Sequence, residues 1–103
     1  MTDRLSASLR HSKQFEFITG YIYAIQCNEF VKIGYAANVP MRLSNMQIGC
    51  PYKLTLLATK PCLDPGSIEV DVHSLFEVYR HRGEWFALPQ HEIDRLITIL
   101  GHI

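Results

Sequence analysis

The feature that most constrains the fold is a pair of strand-like runs joined by a short polar turn, GYIYAIQCNEFVKIGYA at residues 20–36. Both runs are rich in β-branched and aromatic residues, which is typical of strands, and the turn at residues 28–29 has hairpin length. A two-residue loop places Tyr23 and Lys32 on one face as diagonal neighbours, whereas an odd-length loop separates them. We therefore predict a β-hairpin that carries a phenol beside a cation.

Capping and breaking residues divide the rest of the chain into short elements. Asn38 and Asp64 are suited to cap helices, Gly49 to end the first of them, and the pair at residues 82–83 to form a turn. The predicted strands are residues 18–26, 30–36, 54–60 and 84–88, and the predicted helices are residues 38–48, 64–80 and 89–100. This order, with an antiparallel first pair, predicts the α+β class.

Length and composition indicate one small domain. The chain has 103 residues, of which 48% are hydrophobic, and its ten basic and ten acidic residues cancel. We assign residues 1–14 to a polar arm, either a short helix or a frayed basic tail, and residues 15–103 to a single folded domain. The neutral total gives no support for a dedicated nucleic-acid coat, although a local basic patch is compatible with it.

Cysteine usage and hydropathy predict a cytoplasmic protein. The three cysteines, at positions 27, 50 and 62, are odd in number and contain no CxxC pair, so we expect reduced thiols. No signal-peptide core and no bilayer-spanning apolar run is present, so no membrane association is expected.

The hairpin and the second predicted helix offer candidate chemistry. An ammonium near Tyr23 favours the phenolate, which could take a proton from water or orient it. Glu69 and His73 lie four residues apart and share a helix face, where the carboxylate could hold Mg²⁺ through oxygen. Each pattern also has a structural interpretation: tyrosine is a common strand residue, Lys32 can protect a sheet edge, and Glu69 suits a helix N-terminus.

Cations elsewhere suggest contacts with phosphate. Arg42, early in the first helix, has the planar guanidinium that grips phosphate in bidentate fashion, or else it is a solvated surface residue. Arginines 80 and 82 flank aromatic residues, an arrangement that can hold backbone phosphate and stack on a base. With Lys53 they form a predicted nucleic-acid-binding patch, while Trp85 and Phe86 are also suited to anchor a strand in the core.

Taken in order, these residues resemble the GIY-YIG nuclease superfamily, and more closely its small phage and bacterial branch with KIG in place of YIG. The motifs that carry the resemblance are Gly20-x-Ile22-Tyr23, Lys32-Ile33-Gly34, Arg42, Glu69-x-x-x-His73-x-x-Phe76 and Gly83-Glu84-Trp85-Phe86. The resemblance covers residues 18–88. It implies a three-stranded antiparallel sheet flanked by helices, and hydrolysis of a DNA phosphodiester with one divalent cation, Mg²⁺ or Mn²⁺.

The resemblance also assigns roles to the hairpin. Tyr23 corresponds to the GIY tyrosine, which is proposed as a base or as the group that orients the attacking water. Lys32 stands at the first YIG position, where it could lower the pKa of Tyr23 or replace the missing tyrosine. Tyr35 falls where some relatives place a histidine near the attacking water.

For the helices, the resemblance makes Arg42 the residue that stabilises charge on phosphorus and Glu69 the metal ligand. His73 corresponds to a signature of the branch. Many active members also place an asparagine after the catalytic helix, and this chain has no asparagine after Glu69.

Two functions from different classes remain open at this point. An endonuclease predicts that Tyr23, Lys32, Arg42 and Glu69 converge. A catalytically silent module that binds nucleic acid or a host or defence protein predicts instead that Glu69 is engaged by a structural partner such as an arginine. Because the relatives usually carry an attached DNA-binding domain, we expect specificity to come from the arm, from a homodimer or from a protein partner.

Overall fold

The computed structural model describes residues 18–101, so the expectations for the arm at residues 1–14 lie outside the described residues. The elements, in chain order, are β1 (Gly20–Cys27), β2 (Phe30–Ala36), α1 (Val39–Ile48), β3 (Thr55–Cys62), α2 (Pro65–Leu75), a 3-10 turn (Glu77–Tyr79), β4 (Arg80–Arg82), β5 (Trp85–Phe86) and α3 (Gln90–Gly101). None of these helices combines the length and apolar character needed to cross a membrane.

The hairpin forms with the register that a two-residue loop dictates. Asn28 takes up the turn with a φ of 54°, in the left-handed region that asparagine tolerates. Tyr23 lies opposite Gly34 and Ile25 opposite Lys32. Because side chains alternate across a strand, Tyr23 and Lys32 share one face of the sheet, as predicted.

The sheet is larger than the three-stranded sheet expected from the resemblance. It has five antiparallel strands in the order β3-β1-β2-β5-β4, and the α+β class is confirmed. Of the two strands beyond those three, β5 falls within the predicted strand at residues 84–88, whereas β4 occupies residues that the sequence assigns to the end of a helix and a turn. All three residues of β4 are exposed, so this outermost strand carries no alternation of apolar and polar residues that could reveal it.

Apolar side chains cover both faces of the sheet. One face packs against α2 and α3 through a buried cluster of Ile22, Ala24, Val31, Ile33, Cys62, Val72, Phe76, Phe86, Leu88, Ile93, Leu96 and Leu100. The other face packs against α1 through a smaller cluster of Tyr23, Ile25, Ala36, Val39 and Leu54. Because only one of the described helices packs on the second face, part of it is left open, and Tyr23 and Lys32 lie on this face.

His73 completes the outer edge of β2. Strand β5 pairs only with Val31 and Lys32, so the carbonyl of Ile33 has no strand partner on that side. The Nε2 atom of His73 lies 2.7 Å from this carbonyl oxygen, and the histidine is only 9% exposed. Since a carbonyl can only accept, Nε2 must carry the hydrogen, which determines the tautomer.

Replacing His73 with phenylalanine should therefore destabilise the fold by about 1–3 kcal/mol, because the buried carbonyl of Ile33 would lose its donor. Urea denaturation at neutral pH measures the change. The matched control is His91→Phe on the exposed first turn of α3, which should leave the free energy of unfolding nearly unchanged. Equal unfolding midpoints for the two variants would show that this hydrogen bond contributes nothing.

Candidate active site

Side chains from five parts of the fold converge around the Tyr23 hydroxyl and the Glu84 carboxyl group, which both lie beside Gly34. They are Tyr23 on β1, Lys32 on β2, Arg42 on α1, Glu69 on α2 and Glu84 just before β5. We call these five side chains the polar cluster. Four of them are the residues whose convergence the endonuclease hypothesis requires.

Tyr23 lies at the centre of the polar cluster. Its ring is fully buried, and Nη1 of Arg42 donates to its hydroxyl over a long distance of 3.4 Å. Burial raises the pKa of Tyr23 above its usual value, although the Arg42 guanidinium opposes the shift. The phenol therefore stays protonated at neutral pH, and Arg42, not Lys32, is the cation at its hydroxyl.

Helix α1 positions Arg42. Asn38 caps the helix, since its Oδ1 accepts from the backbone N–H of Met41 at 3.0 Å and its carbonyl accepts from that of Arg42 at 3.0 Å. The cap holds Arg42 in the first turn of α1, beside the open part of the face. Arg42 is itself exposed, so its remaining guanidinium donors can reach a ligand from solution.

Gly34 makes room for two functional groups. A Cβ at this position would lie 2.7 Å from the hydroxyl of Tyr23 and 2.9 Å from Oε1 of Glu84. Real Cβ atoms do not approach other heavy atoms so closely, and the fully buried Tyr23 ring has little room to move aside. Only glycine is compatible with this arrangement, which explains why position 34 lacks a side chain in the middle of a strand.

Gly34→Ala should destabilise the protein by about 1–3 kcal/mol, the usual cost of overpacking, and should displace the Tyr23 hydroxyl. Urea denaturation tests the first effect. The control is Gly49→Ala, where a Cβ meets nothing within 4 Å and φ is −93°, so the change should be neutral or slightly stabilising. If Gly34→Ala were as stable as Gly49→Ala, the described packing over Gly34 would be incorrect.

Glu69 is the member of the polar cluster whose ionised form is disfavoured by its surroundings. Its Oε2 atom is buried and has no hydrogen-bond partner. Burial, followed by the neighbouring carboxyl group of Glu84, raises the pKa of Glu69 to about 7, while Lys32 opposes the shift. Lys32 lies 3.9 Å from Oε1 of Glu84, and these side chains are 22% and 40% exposed, so the pair is loose and screened by water.

The structure places Tyr35 and Lys53 outside the polar cluster. Tyr35 follows Gly34 on β2 and so points to the opposite face of the sheet. Its ring neighbours Gly66 at the start of α2, and it is 46% exposed. Lys53 is exposed in the loop before β3, and His73 is occupied by the edge carbonyl of β2.

Arg80, one of the predicted phosphate contacts, is already engaged within the protein. Its Nε and Nη2 atoms donate to Glu77, Nη1 donates to the carbonyl of Gly83, and the guanidinium lies 4.9 Å from the Phe86 ring centroid. These contacts hold the β4–β5 turn together. Arg82 is exposed on β4, and Phe86 is buried in the core, as the structural interpretation of the sequence expected.

Glu84 is the member of the polar cluster that the sequence did not single out as a site residue. It follows Gly83, whose φ of +57° makes the turn, and its carbonyl accepts from the backbone N–H of Ile33 at 3.0 Å. This bond brings residue 84 beside Gly34. The available signal was weak: an acidic residue between a turn glycine and the short Trp85-Phe86 strand.

The ligand atoms that the polar cluster offers to a metal are carboxyl oxygens, which suit a hard cation that keeps part of its hydration shell. Within residues 18–101, no group of three or more histidine, cysteine, aspartate or glutamate side chains could hold a metal ion. The polar cluster supplies two carboxyl groups, Glu69 and Glu84. Mg²⁺ keeps several waters and commonly takes only one or two carboxylates together with substrate phosphate, so this set fits it, whereas a closed zinc site is not present among these residues.

Comparison with protein-family models matches residues 20–101 to the T5orf172 domain, a phage-associated domain related to nuclease-type folds. No curated protein and no solved structure matches the chain. The match spans all five strands and all three helices described above, including every member of the polar cluster. The chain therefore belongs to the T5orf172 domain family.

Proposed function

We propose that this protein is a metal-dependent endonuclease of the GIY-YIG type that hydrolyses phosphodiester bonds in nucleic acid, with DNA as the expected substrate. The observation that carries the proposal is the convergence of the Tyr23 hydroxyl, the Arg42 guanidinium and the Glu69 carboxyl group, whose Oε2 atom is buried without a hydrogen-bond partner. These groups come from three different elements. The tertiary structure brings these groups together, because the local sequence preferences of β1, α1 and α2 do not determine how the three elements pack.

Arg42 and Tyr23 are suited to separate tasks on a bound phosphodiester. The planar guanidinium of Arg42 is a cation with several donors and can hold a non-bridging oxygen as negative charge develops. The hydroxyl of Tyr23 stays protonated in the free protein, so it orients the attacking water and is not a ready base. Lys32 adds a second cation beside the carboxyl groups.

A divalent cation fits the carboxyl side of the polar cluster. Glu69 presents a buried oxygen without a hydrogen-bond partner, next to a second carboxyl group, so a cation would relieve a local excess of negative charge. When bound, Mg²⁺ or Mn²⁺ supplies neutralisation of the scissile phosphate and of the leaving oxygen. Glu69 would hold the cation through its carboxyl oxygens.

The alternative function, a silent module, predicts that Glu69 is engaged by a structural partner such as an arginine. In the described part of the chain no arginine is paired with Glu69; its Oε2 atom has no partner, and its neighbour within hydrogen-bonding reach is the Glu84 carboxyl group. Arg42 contacts Tyr23 instead, and Lys32 lies against Glu84. These contacts favour the endonuclease.

The direct test is incubation of the purified protein with supercoiled plasmid, single-stranded DNA and RNA in Mg²⁺ or Mn²⁺, with EDTA as the control. We expect DNA cleavage that requires the metal. Metal-dependent cleavage of RNA alone would support the proposed phosphodiester hydrolysis and would show that the substrate is RNA and not DNA. Binding without cleavage of any substrate would favour the silent module and refute the proposal.

A further inference from the structure

Glu84 is held firmly in place, although the proposed chemistry gives it no role. Its backbone carbonyl is bonded to Ile33 on β2, and the left-handed Gly83 sets the direction of the chain just before it. Its side chain then extends over Gly34, with Oε1 in the space that a larger residue at 34 would fill. A carboxylate is therefore built into the same space as the Tyr23 hydroxyl.

The contacts of Glu84 leave most of its coordination capacity free. Its one ion pair within residues 18–101 is with Lys32, at 3.9 Å, and its side chain is 40% exposed. At this distance the pair is a loose contact, not a hydrogen bond. One carboxylate oxygen, Oε1, lies beside Gly34, the neighbouring Glu69 carboxyl group is within hydrogen-bonding reach of Glu84, and solvent can reach the side chain.

Glu69 lies next to Glu84, and it too has a carboxyl oxygen that is available to a ligand. Its buried Oε2 atom lacks any hydrogen-bond partner in the described part of the chain. Two carboxyl groups held side by side repel each other when both are ionised, and an unpartnered buried oxygen adds to this cost. Oxygen ligands from two carboxylates, completed by water and phosphate, are what a hard divalent cation takes.

We infer that Glu84 is a second carboxylate ligand, which together with Glu69 forms a two-carboxylate site for a divalent cation such as Mn²⁺ or Mg²⁺. This inference rests on the proposed function for its biological role, but it is testable without nucleic acid. A two-carboxylate site can be distinguished from a site held by Glu69 alone, because only in the first case does loss of Glu84 weaken metal binding directly. If Glu84 were only a counter-ion for Lys32, its loss would leave metal affinity unchanged.

The test is titration of the full chain with Mn²⁺, with free Mn²⁺ measured by electron paramagnetic resonance, for the wild type, Glu69→Gln and Glu84→Gln. We expect each substitution to weaken Mn²⁺ binding by at least about tenfold, the loss that even an outer-shell change commonly causes. The matched control is Glu29→Gln in the exposed hairpin turn, which should bind as the wild type does. Wild-type affinity in Glu84→Gln, or no Mn²⁺ binding by the wild type, would overturn the inference.

A second measurement uses the wild type alone, so it does not depend on the folding of a variant. Substoichiometric Mn²⁺ should broaden the amide resonances of Gly34 and Glu84 strongly and that of Glu29 little. Uniform or absent broadening would also refute the site. If Mn²⁺ binds as expected but no nucleic acid is cleaved, the proposed function fails while the ligand assignment stands.

Discussion

Replacing Glu69 with glutamine should reduce metal-dependent cleavage by about a thousandfold, because a cation that neutralises the scissile phosphate contributes several kcal/mol to the barrier. Glutamine keeps the size and shape of the side chain and removes the charge. The measurement is the cleavage rate at saturating substrate and metal. Residual cleavage close to the wild-type rate would mean that Glu69 is not the metal ligand.

The control for this variant lies on the same helix. Asp71 is an exposed carboxylate two residues beyond Glu69, so Asp71→Asn removes one negative charge from α2 without touching the polar cluster. Cleavage by Asp71→Asn should remain near the wild-type rate. Equal losses in both variants would indicate a general effect of helix charge on nucleic-acid binding.

The same variant should also change how stability depends on pH. The pKa of Glu69 is raised to about 7 in the folded protein, above the value of roughly 4.3 expected for an unfolded chain. The folded state therefore binds the proton more tightly, so stability falls as the pH rises from about 4.3 to about 7 and then levels off. Glu69→Gln lacks this titration.

In EDTA, melting temperatures measured from pH 5 to pH 8 should consequently decline less for Glu69→Gln than for the wild type. The variant should be the more stable protein at pH 8, because its amide is neutral and can donate to Glu84. Asp71→Asn should follow the wild-type profile. A Glu69→Gln profile parallel to that of the wild type would show that Glu69 does not carry the raised pKa.

Arg42→Ala is expected to have the second largest effect, a loss of about 10²–10³ in kcat, similar to removal of one preorganised donor from a developing oxyanion. Arg42 is exposed, and its hydrogen bond to Tyr23 is long, so folding should be nearly unaffected. Because the guanidinium acts on charge that grows in the transition state, kcat should fall more than KM rises. Single-turnover cleavage kinetics separate the two effects.

Two further variants identify the cause of that loss. Arg42→Lys keeps the charge but loses the planar fork, and it should restore only part of the rate. Met41→Ala, at the exposed neighbouring position on α1, should cleave as the wild type does. A drop in binding with unchanged kcat would make Arg42 a nucleic-acid contact and not a catalytic residue.

Local chemistry in the sequence is enough to predict the hairpin and the helix that carries Arg42. The two-residue loop at residues 28–29 determines which side chains share a face, so the placement of Tyr23 and Lys32 together follows from the loop length alone. In the same way, Asn38 caps α1 and Asp64 caps α2, as their positions in the chain predict. These features depend on residues close together in the chain.

The partners of those residues are decided only by the tertiary structure. Strand β4 consists of exposed polar residues, so no pattern of apolar residues reveals it in the sequence. Strand β5 pairs with β4 on one side and with β2 on the other, and this pairing brings Glu84 to Gly34, about fifty residues away in the chain. That pairing gives Lys32 an acidic neighbour, leaves Arg42 as the cation at Tyr23 and leaves Glu69 next to a second carboxyl group. Contacts between distant residues depend on packing of the whole domain, which local propensity does not encode.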